Sequence, residues 1–415
     1  MLLSTYLDKK KNILAISGYI LFLVSLAFEM HVNEARTICL LTSLPLLYFD
    51  KRIVCALGHD RFFQVLFLFP VIALMTTLCI GTYGEPLKTF DWIICFLIGF
   101  VQAMAFEKKS ILLLIVLPAI CLLGSMVTVF WKFSIGESLS TLFTTGKLHM
   151  YNASPNRFGF CTALASVAVI GLLPLDKKHS VVLGGIALGN MLLCWYSQSR
   201  SAVFALLGTL CLAILILFLQ DRKKGLFLLG GGVFVACIGI LLVDNGRIVQ
   251  TVENASWDFL LNGRGDIWQA AWEIFLKSPL LGFGIDSFHD TLKIHLDLAE
   301  NLGRFPDIRS QYVFWNAHQM ILGILCEMGV LGLAVFIGLI VRTVYGAIRT
   351  YPITFAPFLM FVVYLIAGIG GYGFHRSWNS AFFFLCMGLI GGIEARYGRL
   401  SASESNLPAD SNGSQ

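Results

Sequence analysis

The chain has 415 residues, of which 57% are hydrophobic and only 13% charged, with a net charge of +5 and a mean hydropathy of +0.78. Soluble globular chains carry about 25% charged residues, so this composition excludes a soluble enzyme, a disordered chain and a secreted disulfide scaffold. It leaves a polytopic membrane protein built of apolar helices, and with no clustered basic face it excludes a nucleic-acid partner.

Lys9, Lys10 and Lys11 precede an apolar run from Ile13 to Met30. That run is too long for a signal-peptide core and lacks a small-residue cleavage site, so it reads as a first membrane helix that stays in place. Eleven more apolar segments follow, at about 37–49 (with Pro45 inside), 62–82, 90–106, 110–131, 158–175, 180–196, 202–220, 225–243, 320–341, 353–373 and 379–395. Hydrocarbon cannot satisfy open backbone groups, and the segments do not alternate as barrel strands do, so all twelve are expected to be helices. Ten of the 11 cysteines lie within these runs and form no CxxC pair, as suits small buried side chains rather than zinc ligands.

The basic residues set the orientation. With the N-terminus inside, seventeen of the 30 lysines and arginines fall on inner loops, against seven on the short outer ones: Arg36, Lys88, Lys132, Lys147, Arg157, Arg200 and Arg376. Both termini are then cytoplasmic. The expected organisation is helices one to nine in 1–243, a large periplasmic loop subdomain in 244–319, helices ten to twelve in 320–398 and a polar, disordered cytoplasmic tail in 399–415. Within the loop, Asp266 to Lys277 has helical spacing, with an apolar stripe of Ile267, Ala270, Ala271, Ile274 and Phe275 and with Trp268 and Trp272 four apart at headgroup level. Ser278-Pro279 and Gly282-Phe283-Gly284 end that helix in a turn.

Polar residues at outer helix ends are the candidates for chemistry. His318 stands at the mouth of the tenth segment, with Gly329 eleven residues later and Gly332 beyond it. Arg200 sits in Ser197-Gln198-Ser199-Arg200-Ser201, at the tip of a hairpin with almost no loop, and Arg264 stands just before the amphipathic loop helix. Each has a plain reading by itself: a histidine at a headgroup, an arginine snorkelling to lipid phosphate, a surface ion pair with Asp266. The glycine spacing alone is ordinary close packing of helices.

Taken together, these residues resemble the O-antigen ligase (lipid A–core:surface polymer ligase) and O-antigen polymerase superfamily. The carrying motif is His318-Gln319, nine residues, Gly329, two residues, Gly332. Glu327, two residues before Gly329, is frequent in that family. The stretch Gly263 to Phe288 is similar to the family's periplasmic-loop pattern of Arg, an aromatic four residues on, then Pro and Gly-x-Gly. The segment Ser197 to Ala202 is similar to its Gln-x-Arg motif, and Ser154-Pro155-Asn156-Arg157 to its Pro-Asn helix entry. The likeness covers roughly residues 150 to 335, while the first 130 residues match only in hydropathy.

The resemblance implies an all-α, GT-C-like membrane-embedded glycosyltransferase of the bacterial inner membrane. It would move a polysaccharide from undecaprenyl diphosphate to a sugar hydroxyl of lipid A–core on the periplasmic face. The partners are then that lipid-linked donor, the lipid A–core acceptor and membrane lipids, with no obligate protein partner. His318 would be the general base, held neutral by nearby guanidinium groups. The sequence offers no DxD and no carboxylate cluster in its outer loops, so no metal and no cofactor is expected. Arg200 and Arg264 would stabilise the leaving diphosphate, since a guanidinium fork fits phosphate oxygens and keeps its charge. Gln319, Arg376 and Arg157 are the supporting substrate contacts. Transfer is expected to invert the anomeric centre. The alternatives are an O-antigen polymerase, which differs only in the acceptor, and a flippase or transporter of lipid-linked saccharides, which also fits twelve helices with both ends inside. Transporters concentrate ionisable groups near the midplane, where Glu327 is the main deep charge here.

Overall fold

In the computed structural model the described residues are 2–28, 32–80, 85–134, 155–176, 178–197, 199–220, short stretches between 222 and 233, 264–296, 316–370 and 377–405. Among them every regular element is helical and none is a strand. The helices are α1 (Leu2–Phe28), α2 (Val32–Phe49), α3 (Lys51–His59), α4 (Arg61–Leu66), α5 (Leu68–Ile80), α6 (Lys88–Phe106), α7 (Lys108–Leu112), α8 (Val116–Ser134), α9 (Pro155–Leu172), α10 (Ser180–Tyr196), α11 (Arg200–Gln220), α12 (Arg264–Lys277), α13 (Phe288–Leu296), α14 (Met320–Arg349), α15 (Phe355–Gly370) and α16 (Ser377–Ser405). The expected apolar segments are helices or runs of consecutive helices, except the ninth, which lies mostly outside the described residues. The all-α polytopic membrane architecture expected from composition is thus borne out.

Among the described residues six stretches are long and apolar enough to cross a membrane: Phe62–Ile80, Lys88–Phe106, Lys108–Phe130, Arg200–Gln220, Met320–Arg349 and Ser380–Tyr397. Asn12–Ala27, Asn156–Leu172, Ser180–Tyr196 and Phe355–Gly370 are shorter apolar helices. Two of the runs are interrupted where proline predicts it. Pro70 clashes with the carbonyl of Leu66, and the chain turns between α4 and α5 there. Pro118 does the same to Leu114, which lies in a 3-10 turn at Leu113–Ile115. The Asn190 side chain of α10 donates to the Pro118 carbonyl at 3.3 Å, which ties α10 to α8 at that point.

One end of the chain departs from expectation. The segment from Ser401, read as a disordered tail, begins as helix, since α16 continues through Ser405. Its Ser-Ala-Ser-Glu sequence holds nothing that stops a helix, and the first breaker, Pro408, comes later. Residues 406–415 lie outside the described residues.

The core is aromatic and tightly layered. Trp92 of α6 stacks on Phe384 of α16 at 5.4 Å and meets Phe69 of α5 edge-on at 5.3 Å. α6 and α16 lie backbone to backbone, because Gly99 faces Leu385 and Leu389 while Gly388 and Gly392 face Phe96 and Phe100. In a bilayer, where lipid is as apolar as leucine, such close approach supplies much of the attraction between helices. α9 and α15 meet the same way, with Gly171 against Ala356.

Ion pairs sort to two ends of this bundle. At one, Arg342 of α14 pairs with Glu394 of α16 at 2.6 Å and lies 4.5 Å over the Phe62 ring, while Arg396 reaches Glu107 at 3.1 Å and donates to the Met104 carbonyl. At the other, Arg36 of α2 pairs with Asp91 of α6 at 2.6 Å. A Leu at position 388 would overlap the Phe96 carbonyl. We expect Gly388→Leu to cost about 1–3 kcal/mol or more, read as a lowered thermal midpoint of the detergent-solubilised protein.

Candidate active site

The site is built from the meeting of α12, α14 and the turn between α12 and α13. α12 buries the expected stripe: Ile267, Ala270, Ala271, Ile274 and Phe275 are all buried, in a second apolar cluster with Phe288, Leu292, Ala317, Leu325 and Cys326. Trp272 on the opposite face is 47% exposed, in keeping with a headgroup position. The helix ends at Lys277 as read from the sequence, because Pro279 cannot continue it. The Gly282 N–H donates to the Ser278 carbonyl at 3.0 Å and the Ser278 hydroxyl to the Gly282 carbonyl at 2.9 Å, which closes the turn.

α14 is not a continuous helix. Gly329 has φ 64° and ψ −164°, a backbone region open essentially to glycine alone. The break separates two helical hydrogen-bond pairs, Val330 N–H from the Cys326 carbonyl and Leu331 N–H from the Glu327 carbonyl. The turn fills the gap. Phe283 N–H donates to Cys326 O at 2.8 Å and Gly284 N–H to Glu327 O at 2.8 Å, while Pro279 O accepts from Val330 N–H at 2.9 Å and Leu280 O from Leu331 N–H at 3.3 Å. Both backbones must come very close for this. A Cβ on Gly329 would overlap the Leu280 carbonyl, and one on Gly282, at φ 69°, would overlap the Glu327–Met328 peptide. Gly329 of the motif is therefore needed for its backbone, which corrects the reading of that spacing as ordinary helix packing. At Gly332 a Cβ would overlap the Met328 side chain of the same helix, across the break.

His318 lies just ahead of α14 with φ 49°, a left-handed conformation uncommon outside glycine, asparagine, aspartate and histidine. It is held there from both sides. The buried Asn316 side chain accepts the His318 N–H at 2.8 Å, and Gln319 is the N-cap, its side-chain oxygen accepting from Leu322 N–H. Gln319, expected as a substrate contact, thus spends its side-chain oxygen on the helix end. Asn316 carries the positioning role that sequence reasoning missed, although its place two residues before His318 is the spacing of an Asx turn.

The arginines sit at helix starts. Arg264 is the first residue of α12, Arg200 the first of α11, and Arg157 lies in the first turn of α9, which Pro155 opens as the Pro-Asn entry predicts. Arg200 is exposed, while Arg157, Arg264 and His318 are half-buried. Packing brings these starts to one end of the bundle. Gly159 sits against Ser197, Ser199 and Ala202, so the Arg157 and Arg200 helices start side by side. Phe160 of α9 meets Tyr364 of α15 at 6.3 Å between ring centroids, and Gly368 of α15 sits against Met320, two residues after His318. α12 runs beside α14, with Cys326 Sγ donating to Ala271 O at 2.9 Å. From that contact Arg264 is about 10 Å back along its helix and His318 about 12 Å back along its own, at 1.5 Å per residue. Ala317 and Ile267 share one apolar cluster, so the two helix starts point the same way. Arg376, Gln198 and Ser154 lie outside the described residues. Among the described residues, no group of three or more His, Cys, Asp or Glu is placed to hold a metal ion.

A family model described as O-antigen ligase matches residues 185–337. The match runs from α10 to the middle of α14 and takes in Arg200, Arg264, His318 and both sides of the Gly282–Gly329 contact. No curated protein matches the chain. The resemblance read from the His318 motif is thereby borne out over this part of the chain.

The interlock makes a contrast between glycines. Gly323 of α14 has nothing within 4 Å of a built Cβ, so Gly323→Ala is expected to be neutral or to stabilise by up to about 1 kcal/mol. Gly329→Ala and Gly282→Ala meet both backbone strain and overlap, and each is expected to cost on the order of 3 kcal/mol or more. Thermal unfolding of the three purified variants in one detergent checks the order.

Proposed function

We propose that this chain, which carries an O-antigen ligase domain over residues 185–337, transfers a polysaccharide from a polyprenyl diphosphate to a sugar hydroxyl of lipid A–core. The reading places the reaction on the periplasmic side of the bacterial inner membrane. The observation that carries it is that the matched residues 185–337 include His318, Arg200 and Arg264, whose helix starts gather at one end of the bundle.

The chemistry is an in-line displacement. The acceptor oxygen forms a bond to the anomeric carbon as the bond from that carbon to the phosphate oxygen breaks, and the configuration inverts. The acceptor proton passes to the His318 imidazole, a base matched to neutral pH. The electron pair leaves on the lipid diphosphate, where Arg200 and Arg264 offer paired N–H donors without proton loss. Arg157 and Arg376 supply further positive charge, and Gln319, its oxygen engaged at the start of α14, orients the acceptor beside His318 through its side-chain N–H donors. Two arginines in this role make a divalent metal unnecessary.

His318→Ala is expected to lower transfer by about 10²–10⁴-fold while the protein still inserts. Normal polysaccharide-capped lipopolysaccharide in that mutant rejects His318 as base. Arg200→Lys and Arg264→Lys keep the charge but lose the fork, and each is expected to lower transfer on the order of 10²-fold. Transfer by the purified protein should survive EDTA and give the inverted linkage; loss of activity in EDTA, or retained configuration, contradicts the mechanism. In a deletion strain, core-only lipopolysaccharide with accumulated long lipid-linked chains supports ligase, whereas lipopolysaccharide with a single repeat unit assigns polymerase.

A further inference from the structure

The turn inserted in α14 is also held from behind, by a part of the chain that carries no motif. Thr76 of α5 donates to the Leu281 carbonyl at 3.0 Å. The Glu85 N–H donates to the Ile285 carbonyl at 2.8 Å. Lys88, the first residue of α6, binds the Asp286 carboxylate through its ammonium group and pairs with Glu85 at 3.1 Å. Asp286 itself stands at φ 62°, a conformation that an aspartate adopts only where its surroundings hold it. Lys88 and Asp286 are each about one-third exposed or less, so the pair sits at the edge of the bundle rather than in open water.

The turn joins the end of α12, whose start carries Arg264, to the break in α14 at Gly329, eleven residues after His318. α12 leads directly into it, and α14 closes around it at Gly329. Its position relative to α5 and α6 therefore sets where both residues stand relative to Arg200 and Arg157, whose helices belong to the main bundle. We propose that Lys88 is a positioning residue for the transfer site: through Asp286 it clamps the turn into the gap of α14, and so holds Arg264 and His318 in register with the arginines of α9 and α11. This rests on the function proposed above for those residues. It also gives the N-terminal helices a task in the reaction that their hydropathy alone does not reveal.

A native reporter lies inside the clamp. Cys326 is buried against Ala271 and gives its carbonyl to the turn, whereas Cys39, Cys95, Cys121, Cys161, Cys194 and Cys386 are buried elsewhere. The full-length protein is treated with N-ethylmaleimide in detergent, and labelling of each cysteine is followed by peptide mass spectrometry beside transfer activity. Lys88→Ala and Asp286→Asn are each expected to raise the Cys326 rate about tenfold, a local opening, and to leave the other six protected. Transfer falls on the order of ten- to a hundredfold, as misplacement remote from the chemistry does. Lys88→Arg keeps both readouts near the parent, and the exchange Lys88→Asp with Asp286→Lys recovers most of the loss. The proposal is overturned if Cys326 stays protected in both single variants, or if all seven buried thiols open together, which marks general unfolding. If the parent protein performs no transfer, the functional reading fails, and Cys326 labelling still decides whether the clamp exists.

Discussion

The interaction on which the rest depends is the satisfaction of four backbone groups at the break in α14. A helix that stops at Gly329 strands two carbonyls and two N–H groups at a depth where water is scarce, each worth several kcal/mol if left unpaired. The Pro279–Gly284 turn supplies a partner for all four. The arrangement demands Gly329 and Gly282 for the close approach, Pro279 where no N–H is needed, and a loop helix short enough to deliver the turn. It binds the loop to the membrane bundle through the main chain, which side-chain substitution elsewhere cannot easily undo.

From that joint the site is assembled by helix starts. Arg157, Arg200, Arg264 and His318 each stand at or just before the first turn of a helix, and N-termini favour negative charge. A diphosphate brought to this end would meet guanidinium groups and helix dipoles of the same sign. The opposite end is closed by the Arg342–Glu394 and Arg396–Glu107 pairs. The starts of the arginine-bearing helices thus gather at the end that also holds the Arg36–Asp91 and Lys88–Asp286 pairs.

Much of this is legible in the sequence because the solvent makes it so. Long apolar runs in a chain with 13% charge can only be helices, and the α12 stripe and the stop at Ser278-Pro279 follow from periodicity and ring sterics. The His318 motif marks the right residues, yet spacing does not tell why its glycines are there. Gly329 looks like any small residue in an apolar helix until the turn is seen against it, since its partner lies some fifty residues earlier. The Lys88–Asp286 pair is hidden for the same reason, a contact between segments 198 residues apart, whereas Asn316 acts locally on His318 and its spacing is that of an Asx turn. Arg376 falls outside the described residues.

The α14 joint also constrains length. Pro279 and Leu280 address the residues after the gap, and Phe283 and Gly284 those before it, so donors and acceptors match only for one count of residues across the turn. Between Leu280 and Phe283 a single insertion would take one pair of partners out of register with the other, so divergence in this loop should accumulate on either side of a stretch whose length is fixed.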